Sequence, residues 1–127
     1  MGNYGRVAID AVALLMSGDV KDLRAAWKQA AVRVFPTQLA SRKKACPMDA
    51  FLGLCDEGLV KGVNPGRYTR SRKNKQYAID ALKKLRANPA LAAHEQRLWN
   101  LILQGKHKTY NQQMDVVISL WQNRLIK

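Results

Sequence analysis

The strongest constraint on the fold is a helical repeat of apolar residues, which is clearest between residues 23 and 34. Apolar side chains recur there at intervals of three and four residues, and basic side chains occupy the other faces. This spacing matches the period of an α-helix and not the two-residue period of a strand. The repeat positions are Leu23, Ala26, Trp27, Ala30, Ala31 and Val34. The segment is therefore predicted to be an amphipathic helix that ends before Pro36.

Similar apolar patterns recur along the rest of the chain and predict an all-α fold. A chain of 127 residues can form one domain with a substantial core but not two, so residues 1–127 are predicted to be a single domain of five to six helices. The first helix is apolar nearly all round and is expected to be buried and central. The predicted helices cover about residues 4–16, 19–35, 47–58, 74–86, 91–104 and 112–126. Asp19 is predicted as the N-cap of the second helix, and the third is predicted to run from Pro47 to its C-cap, Gly58.

One very short β-hairpin is predicted near residues 59–70, in addition to the helices. The tripeptide at residues 64–66 reads Asn-Pro-Gly and lies between two short segments that could pair. Proline fixes φ and glycine accepts a positive φ, so this tripeptide is typical of a tight turn.

The charge of the chain is the feature that bears most directly on function. Lysine and arginine number 22 against 9 acids, which gives a net charge of +13. Such an excess repels itself in a folded protein, and a polyanionic partner is the simplest reason to carry it. Nucleic acid is the leading partner, with DNA favoured over RNA; an acidic protein surface ranks second and anionic lipid third. No apolar run is long enough to span a membrane, and we expect a cytoplasmic protein.

The positive charge is concentrated in residues 61–86, which hold nine lysines and arginines but one acid, Asp80. A second group occupies the connection before the third helix. If the two loops that flank this helix lie on one side of the domain, their side chains would form one surface for phosphates, and Tyr68 could stack on a base or orient the contact. The predicted nucleic-acid-binding residues are Arg42, Lys43, Lys44, Lys61, Arg67, Tyr68, Arg70, Arg72, Lys73 and Lys75. Tyr77 could either stack on a base or pack against the helix behind it.

No catalytic or metal-binding motif is evident, so we expect a non-enzymatic protein with no cofactor and no metal, and keep an unrecognised hydrolase as an alternative. The only adjacent acids, Asp56 and Glu57, lie at a helix end and point about 100° apart. The spacing of Cys46 and Cys55 fits no zinc motif, and two reduced thiols with Cys55 in the core are predicted.

Residues 4–71 resemble a winged helix-turn-helix, because three helices precede a turn with a basic tip. The third of these helices carries Phe51, Leu52, Asp56 and Glu57, which suit a core better than a DNA groove. Under this resemblance the loops and the wing-like turn would contact DNA, with backbone or shape reading favoured over base reading.

The sequence also resembles an uncharacterised family of small bacterial and phage-associated proteins along nearly its whole length. The residues that carry the resemblance are Tyr4–Gly5, Ala26–Trp27, Cys46–Pro47, Phe51 to Gly62, Gly66, Tyr68–Thr69, Lys73 to Lys75 and Met114 to Trp121. The resemblance implies a bacterial or mobile-element setting and no established activity.

The rival interpretation is a protein-interaction module, such as a phage-type inhibitor or accessory subunit, that binds an acidic protein surface. It is motivated by the wide apolar stripe of the last helix, which could be core or could mediate a homodimer. The stripe consists of Met114, Val117, Ile118, Trp121 and Leu125, widened by Val116 and Leu120.

Overall fold

A computed structural model describes residues 2–127 and is almost entirely helical, with no strand beyond one isolated bridge in that range. The helices are α1 (Asn3–Ser17), α2 (Leu23–Val34), the single turn α3 (Leu39–Arg42), α4 (Ala45–Asp56), α5 (Arg72–Ala87), α6 (Glu95–Leu103) and α7 (Gln113–Gln122). A 3₁₀-helix, Pro89–Ala93, precedes α6. Six of the α-helices in the described range have nine residues or more, which confirms the predicted all-α fold.

The central helix is α7, not α1 as the sequence suggested. Every residue from Gln113 to Leu120 is buried, and α7 packs against α1, α4, α5 and α6. One side of α1 remains exposed at Arg6, Ala13 and Met16. Alanine counts as apolar in a pattern but has little surface to bury, so an exposed Ala13 costs little. Within the predicted apolar stripe, Trp121 and Leu125 are half-buried and the other members are buried. A homodimer through this helix stays a prediction.

The contact between α1 and α7 is unusually close and polar. The buried carboxylate of Asp115 accepts hydrogen bonds from the backbone N–H groups of Gly2 and Gly5, each at 2.9 Å. These N–H groups belong to the start of α1 and have no partner within the helix, so Asp115 caps α1 from another helix. A side chain at Gly5 would collide with Ser119 and Asp115, so glycine permits the approach.

Aromatic rings join the remaining helices. Trp27 of α2 packs on Phe51 of α4, with ring centroids 5.4 Å apart. Trp99 of α6 meets Tyr77 of α5 edge-on at 5.1 Å and Tyr110 at 5.3 Å. Of the two alternatives for Tyr77, the structure therefore shows packing against the core.

Two predicted helix starts differ from the structure. Asp22, not Asp19, caps α2: its carboxylate accepts from the N–H of Ala25 at 2.9 Å, whereas Asp19 bonds to the hydroxyl of Ser17. Helix α4 begins at Ala45, two residues before Pro47. The first turn of a helix leaves N–H groups free, so it tolerates proline at several positions. The C-cap of α4 is Glu57, not the predicted Gly58, which follows it with a φ of +68° in the left-handed region that favours glycine.

No hairpin forms between residues 59 and 70. Val60 instead pairs antiparallel with Ile126, and the N–H of Lys61 donates to the carbonyl of Leu125 at 2.8 Å. The segment predicted as the second strand is bonded to α4 instead, because the carboxylate of Asp56 accepts from the N–H of Tyr68 at 2.6 Å. The wing that the helix-turn-helix resemblance implied is therefore not formed.

Candidate nucleic-acid interface

The segment that leads into α5, residues 64–71, is fixed by acids of α4. The carboxylate of Asp56 accepts from the N–H groups of Tyr68 and Thr69, at 2.6 and 3.3 Å, and Asp49 accepts from the hydroxyl of Thr69 at 2.7 Å. Arg24 of α2 donates to the carbonyl of Tyr68 at 2.8 Å. The segment is thus held from both sides and presents its remaining side chains in a defined arrangement.

Tyr68, predicted to stack on a base or to orient the contact, is largely engaged within this segment. Its hydroxyl donates to the carbonyl of Asn64 at 2.6 Å, and the ring lies against Gly66, where a Cβ would come within 3.1 Å of it. The residue is half-buried. These contacts assign Tyr68 a role in shaping the turn, and its stacking on a base stays a prediction.

Four cations are gathered where this segment enters α5. Arg67, Arg70, Arg72 and Lys73 are all exposed, and no hydrogen bond or ion pair within residues 2–127 engages their side chains. We call these four residues the α5 cluster. A phosphate could reach each of them without displacing an internal partner.

Lys75 belongs to the same basic run of the sequence but forms ion pairs within the protein. Its ammonium group lies 2.7 Å from Glu57 and 3.3 Å from Asp56, and these two contacts are the ion pairs found within the described part of the chain. Bonding to Glu57, and secondarily to Asp56, raises the pKa of Lys75 against the opposing effect of its burial. Gly53 permits this approach, since a side chain there would collide with Lys75. Lys75 therefore joins α5 to α4.

The α5 cluster lies at the end of α5 where positive side chains are electrostatically unfavourable. Ser71 caps α5 by accepting from the N–H of Asn74 at 3.3 Å, so Arg72 and Lys73 are the first two helical residues. The first turn contains no acid. The start of a helix carries a partial positive charge that favours acids and disfavours lysine and arginine, by about 0.3–1 kcal/mol each. This cost is offset when an anion binds at the same place.

The predicted residues before α4 have contacts of their own. Lys44 precedes α4 and Asp56 ends it, while Thr69 of the segment before α5 donates to Asp49, five residues after Lys44. The guanidinium of Arg42 donates to the carbonyls of Phe35 and Pro36, which end α2. The ammonium group of Lys44 sits 5.9 Å from the ring centre of Tyr4. That both loops form one patch stays a prediction.

Helix α2 places two cations that the sequence prediction left out next to these two loops. Arg24 contacts the Tyr68 segment, and Lys28, one turn later, lines a groove with Arg42, Lys43 and Lys44. The 3–4 spacing of Arg24 and Lys28 was visible in the sequence, but only the packing of α2 beside α4 shows which loops they approach.

Lys61 lies at a third place, which the Val60–Ile126 pairing creates. It lines a cleft with Arg86, Arg124, Lys127, Trp121 and Ile126. Arg86 belongs to the same basic segment as Lys61, but Arg124 and Lys127 lie far along the chain, so no local pattern could have grouped those two with Lys61.

The acids of the protein mostly bind internal donors rather than neutralise these cations. Asp22, Asp49, Asp56 and Asp115 all accept hydrogen bonds from backbone N–H groups or a hydroxyl group. Lysine and arginine therefore dominate the surface charge.

The thiols match their prediction: Cys55 is fully buried, Cys46 is half-buried and both are free. Burial raises the pKa of the Cys55 thiol well above its usual value. Across the range 2–127, no three His, Cys, Asp or Glu side chains converge as metal ligands would. Nor does any helix there combine the length and apolar character needed to cross a bilayer.

Fold and surface together define a small all-α protein with four exposed, unpaired cations where α5 begins. The chain belongs to DUF6979, a family of unknown function whose model matches residues 1–127. The resemblance to an uncharacterised family is thereby confirmed. No curated protein and no solved structure matches the chain significantly.

Proposed function

We propose that this protein binds nucleic acid through the phosphate backbone and has no enzymatic activity of its own. The observation that carries the proposal is the α5 cluster, whose four exposed and unpaired cations stand at the positive end of a helix. DNA is favoured over RNA, as the sequence predicted. The bacterial or phage setting and the cytoplasmic location stay predictions.

Phosphate chemistry accounts for the position of these residues. Backbone N–H groups at the start of a helix attract anions, and guanidinium groups bind phosphate oxygens in pairs. A polyanion that contacts the cluster releases condensed counterions, which favours binding at low salt. Because residues 64–71 are fixed by Asp56, Asp49 and Arg24, little conformational freedom would be lost on binding.

An acidic protein partner remains the second candidate, because one groove suits it. The groove of about 440 Å³ beside α2 exposes the apolar side chains of Val32 and Met48 and is rimmed by Lys28, Lys43 and Lys44. A phosphate of a duplex gains nothing from contact with an apolar surface, whereas an acidic peptide that also carries an apolar side chain can bury that side chain there.

The proposal is tested by titrating labelled duplex and single-stranded oligonucleotides at two salt concentrations, with fluorescence anisotropy as the readout. The test variant replaces Arg67, Arg70, Arg72 and Lys73 by glutamine. The matched control replaces Arg6, Arg33, Arg97 and Lys106, which are also exposed and whose loss gives the same net charge.

We expect the test variant to bind at least about tenfold more weakly and to lose roughly 0.9 of salt slope for each phosphate contact removed. The control should retain most of the affinity and the slope. Equal losses in both variants would show that the α5 cluster is not the interface.

A further inference from the structure

The cleft that contains Lys61 has the composition of a site for a nucleobase with its phosphate. It measures about 320 Å³, and its lining comprises four residues with cationic side chains and two apolar residues, without an acidic side chain: Lys61, Arg86, Arg124, Lys127, Trp121 and Ile126. We propose that this cleft, here called the Trp121 cleft, binds an unpaired base of single-stranded nucleic acid. The inference rests on the proposed function and specifies the strand form that it favours.

The cleft is built by long-range backbone pairing. The N–H of Lys127 donates to the carbonyl of Leu59 at 2.9 Å, and the N–H of Lys61 donates to Leu125 at 2.8 Å. Arg86, near the end of α5, donates to the carbonyl of Lys127 at 2.6 Å. These bonds place cations from three distant parts of the sequence around one indole.

Arg124 reaches the cleft from a backbone conformation that most residues avoid. Its φ is +57°, in the left-handed region, which costs a non-glycine residue about 1 kcal/mol. The turn it forms lets the N–H of Leu125 bond back to Leu120 at 3.0 Å and directs the chain toward Val60.

Trp121 differs from the other two tryptophans of the protein. Trp27 and Trp99 are each 1% exposed, and both pack on other rings. Trp121 is half-buried, lines the cleft and has no ring partner within the described residues. An aromatic ring in a cationic groove is the usual platform for single-stranded nucleic acid, where each stacked base contributes about 1–3 kcal/mol. Bases inside a duplex are already stacked on each other and have no face free for the indole.

Helix α5 connects the Trp121 cleft to the α5 cluster. Arg72 and Arg86 are 14 residues apart on one helix, so roughly 21 Å separates the two sites along its axis. Lys83 and Lys84 are exposed between them, and Asp80 is the single acid on this helix. One strand could follow α5, with phosphates at the cluster and a base at Trp121.

Intrinsic fluorescence offers a direct test, because stacking on a base quenches an indole and only Trp121 is accessible. The protein is titrated with oligo(dT) and, separately, with heparin, which carries negative charge but no bases. Anisotropy of a labelled oligo(dT) is followed in parallel. We expect oligo(dT) to lower the emission and heparin to leave it nearly unchanged.

Two variants keep the test specific. Trp121→Leu should abolish the quenching and weaken oligo(dT) binding by about tenfold, with duplex binding little changed. If that variant fails to fold by circular dichroism, the double variant Lys61→Gln and Arg124→Gln, which retains the indole, should weaken oligo(dT) binding more than duplex binding.

The outcomes separate the two proposals. Oligo(dT) that binds by anisotropy without quenching Trp121, or heparin that quenches equally, overturns the Trp121 cleft as a base site and leaves the proposed function standing. The absence of any binding by anisotropy at low salt overturns the proposed function itself.

Discussion

The ammonium group of Lys75 lies 2.7 Å from the carboxylate of Glu57, across the junction of α5 and α4. Lys73, two residues earlier in the same basic run, has no such partner. A half-turn of helix therefore separates a lysine that holds the fold together from one that is available to a ligand. Substitution of Lys75 is therefore expected to lower stability and leave binding nearly unchanged, whereas substitution of Lys73 is expected to weaken binding without lowering stability.

Lys75→Gln should lower the free energy of unfolding by about 1 kcal/mol and change nucleic-acid affinity little, because Lys75 bonds to Asp56, whose side chain is 7% exposed. Urea denaturation at neutral pH measures the change. Since the pKa of Lys75 is raised in the folded state, its contribution is complete below the ordinary lysine pKa of 10.5 and is lost as pH rises through the higher folded value. If the Lys75→Gln variant is as stable as the parent but binds nucleic acid more weakly, Lys75 is a binding residue and not a structural one.

Lys73→Glu should stabilise the protein by about 0.3–1 kcal/mol at low salt and weaken nucleic-acid binding, because it puts an acid in the first turn of α5. Lys84→Glu is the matched control, since Lys84 lies in the last turn of the same helix, where a cation is favoured. Thermal unfolding should therefore move in opposite directions for the two variants. Stabilisation by both, or by neither, would refute the electrostatic account of the cluster.

Gly5→Ala should destabilise the protein by about 1–3 kcal/mol, because the added methyl group collides with Ser119 and Asp115 and forces α1 away from α7. Asp115→Asn should cost about 1–2 kcal/mol through the weakened cap of α1. Asp10→Asn is the control and should have little effect, because the carboxylate of Asp10 on α1 accepts no hydrogen bond from residues 2–127. Chemical denaturation of all three variants compares the losses directly.

The two thiols should differ sharply in reactivity. A thiol reagent should modify only Cys46 in the native protein, because Cys55 is fully buried and its raised pKa suppresses the reactive thiolate. Absorbance should report about one thiol per chain under native conditions and two in denaturant. Cys46→Ser should leave no fast-reacting thiol. Equal rates for both cysteines in the folded state would contradict the position of α4.

The helices were predictable because their signals are local. The apolar repeat of α2 and the glycine after α4 act within one or two turns, so both the type of element and its approximate ends follow from neighbours in sequence. The N-cap was misplaced by three residues, at Asp19 instead of Asp22, because both aspartates satisfy the same local rule. Only the backbone geometry distinguishes them.

The predicted hairpin does not form, because the backbone pairing in this region joins residues far apart in the sequence. Val60 had no better partner in its own neighbourhood than the residues after the Asn-Pro-Gly turn, yet it pairs with Ile126. Proximity in sequence is therefore a poor guide to which backbone segments pair.

The amino-acid sequence by itself determined that this chain is helical, that it carries a large positive charge and that Cys55 is in its core, since periodicity, composition and residue type act locally or in sum. Tertiary structure alone decided which cations stay unpaired and which face one another. Those outcomes depend on contacts between distant segments, such as Lys75 with Asp56 or Lys61 with Leu125, and their geometry is set by the packing of whole helices.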